Sequence, residues 1–139
     1  MPIELMGFKS NGKSKIPFFT VSVSAGIPVP VDTDESTVID LNEYLVDHPS
    51  STFFAKITGE DLSIVGIHDS DILIIDTGSE PIDGKMILVM LNEELTVKIF
   101  RDIDGEIFFE SSQNNFIPRN LPGLNYEMIG VITKIIHSI

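Results

Sequence analysis

The chain has 139 residues, 42% of them hydrophobic and 22% charged, with no cysteine; this fits one folded domain and excludes a disulfide scaffold, a thiolate nucleophile and cysteine-ligated zinc. Its 21 acidic and nine basic residues are unevenly placed: residues 1–25 carry a net +2 and residues 26–139 a net −14, so the body repels polyphosphate and no direct DNA binding is expected. The longest apolar run, residues 86–91, is far short of the roughly 20 that span a bilayer, and the first eight residues lack the basic and apolar regions of a secretory signal, so no membrane association and a cytoplasmic location are expected.

In chain order, Ser10-Asn11-Gly12-Lys13-Ser14 has no apolar period to bury and reads as part of a flexible arm. Phe19, Val21 and Val23 alternate with Thr20 and Ser22, which predicts a short strand over 16–23. The stretch Ser24-Ala25-Gly26-Ile27-Pro28-Val29-Pro30 cannot be a central strand; it predicts extended, poorly hydrogen-bonded backbone open to a protease. Asp40 stands where an N-cap belongs, with Glu43 three residues on and Leu41, Tyr44 and Leu45 on one face of a helix of about two turns that ends at His48-Pro49.

Beyond it, the chain reads as apolar strands joined by tight turns, over 52–58, 71–76, 85–91, 94–101, 106–110 and 126–136. Turn residues divide them at Asp69-Ser70, Thr77-Gly78, Asp83-Gly84, Asn92-Glu93, Asp104-Gly105 and Pro122-Gly123. The connections are too short for parallel crossovers, so a mainly β fold is expected, a small antiparallel sandwich or barrel with one short helix and a flexible N-terminal arm.

Common catalytic patterns are missing. His48, His68 and His137 stand apart in sequence, so neither a metal site nor a cofactor is expected, and there is no Gly-rich phosphate loop or G-x-S-x-G elbow. One residue stands out. On the strand Glu94-Leu95-Thr96-Val97-Lys98-Ile99-Phe100, Lys98 shares a face with Thr96 and Phe100, a setting that desolvates an ammonium and lowers its pKa. A lysine neutral near pH 7 can take a proton from a hydroxyl and generate a nucleophile without histidine. The plainer reading is a strand lysine that guards a sheet edge against aggregation.

Five ordered segments carry a resemblance: Gly26-Ile27-Pro28-Val29-Pro30; Ile39 to Glu43 with His48-Pro49-Ser50; Phe54-Ala55-Lys56-Ile57-Thr58-Gly59; Gly66 to Asp76; and Glu94 to Lys98. In their order and spacing the chain resembles the LexA/UmuD family of RecA-stimulated, self-cleaving proteins, and its UmuD-like branch most. The resemblance implies a C-terminal domain of the Ser-Lys peptidase fold over 26–139, preceded by an arm over 1–25. It places Ala25 and Gly26 at the cleavage site and Lys98 at the general-base position. At the nucleophile position, where the family has Gly-x-Ser-Met, this chain reads Gly59-Glu60-Asp61-Leu62.

Asp61 has no proton for Lys98 to remove and is a weak attacker of an amide, and an Asp61–Lys98 ion pair would keep the lysine protonated. Three explanations stay open: natural divergence to a member that does not cleave itself, use of Ser63, two residues on, as nucleophile, and a deliberate substitution in an active protein. The 25 residues before Gly26 are too few for a helix-turn-helix unit, so no repressor is expected. The resemblance implies an accessory subunit of SOS mutagenesis, a translesion-synthesis protein that forms a homodimer, responds to a RecA filament and joins an error-prone, UmuC-like polymerase subunit. The alternatives are an active serine peptidase using Ser63 and Lys98, or a dimerisation decoy of an active paralogue.

Overall fold

A computed structural model of the chain describes residues 3–6, 15–19, 36–58, 66–111 and 115–139, and the chain divides into two compact units, residues 9–47 and residues 1–8 with 48–139. Strand β1 (Ile3–Met6) belongs to the larger unit. In the smaller one, β2 (Lys15–Phe19) pairs antiparallel with β3 (Ser36–Asp40), from Lys15 opposite Asp40 to Phe19 opposite Ser36. Helix α1 (Leu41–Leu45) follows directly. Its N-cap is the expected one: the Asp40 carboxylate accepts from the Asn42 N–H at 2.9 Å, satisfying a donor that has no partner inside the helix. The helix is shorter than expected, five residues, because the backbone is already extended at Val46.

The larger unit holds β4 (Thr52–Ile57), β5 (Ile72–Asp76), β6 (Met86–Leu91), β7 (Glu94–Ile103), β8 (Glu106–Ser111), β9 (Asn115–Pro118) and β10 (Tyr126–Ile136). With β1 they form one eight-stranded sheet in the order β1-β4-β5-β10-β6-β7-β8-β9, every neighbouring pair antiparallel. The mainly β, antiparallel reading therefore holds. Of the 25 residues expected as an arm, Ile3–Met6 pairs with β4 and Lys15–Phe19 with β3, while the others lie outside the described residues. No helix of the described residues is long and apolar enough to cross a membrane.

Turn chemistry fixes the register of the central meander. Asn92 and Glu93 join β6 to β7 with φ of 49° and 68°, and Asp104 and Gly105 join β7 to β8 with φ of 52° and 85°. Positive φ at both loop residues is the pattern whose twist matches that of the flanking strands.

Alternation along the strands then sorts side chains onto two cores. Ala55, Ile57, Leu73, Ile75, Leu88, Val97 and Ile132 pack on one face with Ile67. Ile87, Val89, Leu91, Phe100, Phe109 and Val131 pack on the other. Strand β6 is buried on both faces, which is why Met86–Leu91 is uninterruptedly apolar. Strand β10 joins β5 to β6 and carries two irregularities, between Met128 and Gly130 and between Ile132 and Lys134. At the first, Gly130 is buried where a Cβ would lie 2.7 Å from Ile75 Cγ2 and 2.8 Å from the Asp76 carbonyl oxygen.

Candidate active site

The register Ile87 opposite Lys98 sets the lysine's surroundings. Ile87 is fully buried in the second core, and Phe100, two residues along on the same face as Lys98, belongs to that core too. The opposite face of β7 gives Leu95, Val97 and Ile99 to the first core, the division expected from the sequence. Lys98 thus stands half-buried at the margin of an apolar layer. Burial pushes its ammonium below the usual lysine value, and the negative charge of Glu94, four residues back, pulls in the opposite direction. Strand β7 pairs with β6 from Glu94 to Ile99 but with β8 only from Ile99 onward, so among the described residues Lys98 has a ladder partner on the β6 side alone, one residue short of the β8 ladder. Asp61 and Ser63, like Ala25 and Gly26, lie outside the described residues.

Two buried carboxylates flank β5, and neither was singled out by sequence. At its C-terminal end Asp76, 3% exposed, accepts from Ser51 Oγ and Ser79 Oγ, both at 2.7 Å, and from the Gly78 N–H at 2.9 Å. His48 Nδ1 meets its Oδ2 at 2.7 Å. Burial alone would raise this carboxyl's pKa, but the hydrogen bonds from Ser51, Ser79, His48 and Gly78 together hold it well below the usual carboxylate range. Serine, histidine and aspartate meet here without forming a triad, because Ser51 donates to the carboxylate and not to the imidazole. The cluster is a clasp: with Thr77 N–H on the Ser51 carbonyl at 2.8 Å, it ties the 3-10 turn Pro49–Ser51 to the end of β5.

Just before the strand, Asp71 is fully buried. It accepts from the His68 N–H at 2.8 Å, and His137 Nδ1 lies 2.6 Å from its other oxygen. The His68 and His137 rings face one another at 4.7 Å between centroids. The three histidines, expected to stand alone, are thus each held against a buried aspartate. Chain pairing explains it: β10 runs antiparallel to β5 with Ile136 opposite Ile72, so the next residue, His137, arrives beside Asp71. The signal open to sequence reading was His68, three residues before Asp71.

Lys98 is thus a desolvated lysine in an antiparallel β domain, and the family described as Peptidase S24-like matches residues 17–133. The chain belongs to that family. Within it the chain is a LexA/UmuD-like member. It is 36% identical over 94 residues to Protein MucA of Salmonella typhimurium, which covers 66% of this chain and 64% of MucA. It is 29% identical over 121 residues to Protein ImpA of the same organism, covering 87% of this chain and 83% of ImpA. It is 26% identical over 117 residues to the LexA repressor of Leifsonia xyli subsp. xyli, covering 84% of this chain and 51% of the repressor. The match therefore spans less than two thirds of MucA and about half of the LexA repressor.

Proposed function

We propose that this protein is a UmuD-like accessory subunit of translesion synthesis whose own cleavage site is silenced by Asp61. In this reading it forms a homodimer, responds to a RecA filament and joins an error-prone, UmuC-like polymerase subunit. Residues 1–25 are the arm ahead of the Ala25-Gly26 cleavage position, and residues 26–139 are the body. The observation that carries the reading is Lys98: burial against Ile87 and Phe100 lowers its pKa, which favours the neutral amine a general base needs. The base position thus keeps its chemistry while the nucleophile position has lost its hydroxyl. Such a chain stays whole by itself or is cut in trans by an active partner in a mixed dimer.

Intact mass after incubation at raised pH, and separately with an activated RecA filament, tests this. The chain as it stands should stay whole, and Asp61→Ser should yield a fragment beginning at Gly26. Cleavage of the unaltered chain that Ser63→Ala abolishes would refute the silenced site and establish a peptidase with a displaced nucleophile. Failure of Asp61→Ser to cleave under either condition, with the fold intact, would remove Lys98 from its assigned role. A decoy would show itself by slowing the processing of an active paralogue in a mixed dimer.

A further inference from the structure

We propose that His68, Asp71 and His137 form a binding site for one divalent zinc ion. Among the described residues, this is the group whose imidazole nitrogens and carboxylate oxygens gather closely enough, with one ligand atom from each residue all within 4.8 Å of one another. Zinc ligands bound at about 2.0–2.1 Å lie no more than about 4.2 Å apart. To reach the roughly 3.3 Å separation of a tetrahedral shell, the two rings need to close by up to about 1.5 Å around the ion. They are free to do so, since the His68 and His137 side chains are 62% and 47% exposed.

The carboxylate between them is 1% exposed and already fixed by the His68 N–H, so the site has one rigid ligand and two adjustable ones. Existing separations bracket those in a tetrahedral zinc shell, about 3.3 Å between ligand atoms. His68 Nδ1 lies 3.7 Å from one Asp71 oxygen, and His137 Nδ1 lies 2.6 Å from the other. Two imidazoles and one carboxylate suit a borderline ion such as zinc or cobalt and are poor for calcium or magnesium, which take oxygen ligands. Three protein ligands on a partly exposed surface leave a fourth position for water. The bound ion would lock the turn before β5 to the end of β10, two points brought together only by the β5–β10 pairing.

The test uses the full chain with any affinity tag removed, titrated with Zn2+ by calorimetry and with Co2+ by visible absorption. One zinc per chain, a saturable rise in Tm and the absorption bands of tetrahedral cobalt are expected. His68→Ala and His137→Ala should each weaken binding by at least about tenfold, the double variant should abolish it, and His48→Ala, at the other end of β5, should leave it unchanged. No saturable one-to-one binding to the unaltered chain, or equal binding by the folded double variant, would overturn the proposal. If losing the His137 contact unfolds the chain, His68→Ala decides, because its ring lies 3.7 Å from the carboxylate and makes no hydrogen bond to it.

Discussion

Gly130→Ala should destabilise the protein more than an alanine in a strand ordinarily would. The added methyl meets Ile75 Cγ2 at 2.7 Å and, less yieldingly, the Asp76 carbonyl oxygen at 2.8 Å and carbonyl carbon at 3.1 Å. A side chain can turn away, but the β5 backbone can retreat only by stretching its pairing with β10 beside the Val131–Asp76 position. Overpacking of this kind costs about 1–3 kcal/mol, and one weakened ladder hydrogen bond adds about 1. The lower chain entropy of alanine in the unfolded state returns about 0.5–1. The net loss is thus about 1–3.5 kcal/mol, centred on about 2, a large part of the roughly 5–15 available to a domain of this size. Urea unfolding followed by circular dichroism reads it directly: with a slope of about 2 kcal/mol per molar, the midpoint should fall by about 1 M. Ile75→Ala in the same chain removes the Cγ2 contact and leaves the carbonyl contact, so the pair should couple favourably yet restore only part of the loss. A midpoint for Gly130→Ala equal to that of the unaltered chain would refute the close approach of β5 and β10.

Asp76→Asn should cost about 1–3 kcal/mol at neutral pH, since the donors from Ser51, Ser79 and Gly78 would then serve a neutral group. The folded carboxyl titrates below its ordinary value of 3.8, so its contribution is full above that value and drains away as pH falls through the folded pKa. The stability gap between the two chains should therefore close on acidification below about pH 4, and a gap unchanged by pH would count against the clasp. Glu93→Gly should stabilise by about 0.5–1 kcal/mol, because φ is 68° there and glycine adopts it without strain; thermal melts check this, and a lowered Tm would contradict it.

Much of the sheet is legible in the sequence because its strands are buried in ways that leave a pattern. β7 alternates cleanly, with Leu95, Val97 and Ile99 on one core and Phe100 on the other, and β6 is apolar throughout because both of its faces are covered. The elements that escape the pattern are short. β1 and β9 have four residues each at the two sheet edges, and β9 ends in Pro118, while β3, five residues long, runs straight into α1. Lys98 was legible because its setting is made by neighbours on its own strand, Thr96 and Phe100. The aspartate clusters were not, because they are made by register: Thr52 opposite Asp76 brings the turn at His48 and Ser51 to one carboxylate, and Ile136 opposite Ile72 brings His137 to the other. No local period encodes which distant strand will lie alongside.

The position of β10 bears on how the chain acquires its structure as it leaves the ribosome. It is the last strand in chain order, yet it sits between β5 and β6. Until residues 126–136 emerge, the β4–β5 pair and the β6–β7–β8 meander are two separate pieces. Each then shows an unpaired edge made of buried-type residues, Leu73 to Ile75 on one and Ile87 to Val89 on the other. Such edges pair readily with the wrong chain, so synthesis passes through a window in which the product is open to mispairing. Closure needs contacts far apart in sequence and is slow for that reason. A release assay with nascent chains stalled before and after β10 should find protease resistance only in the longer one.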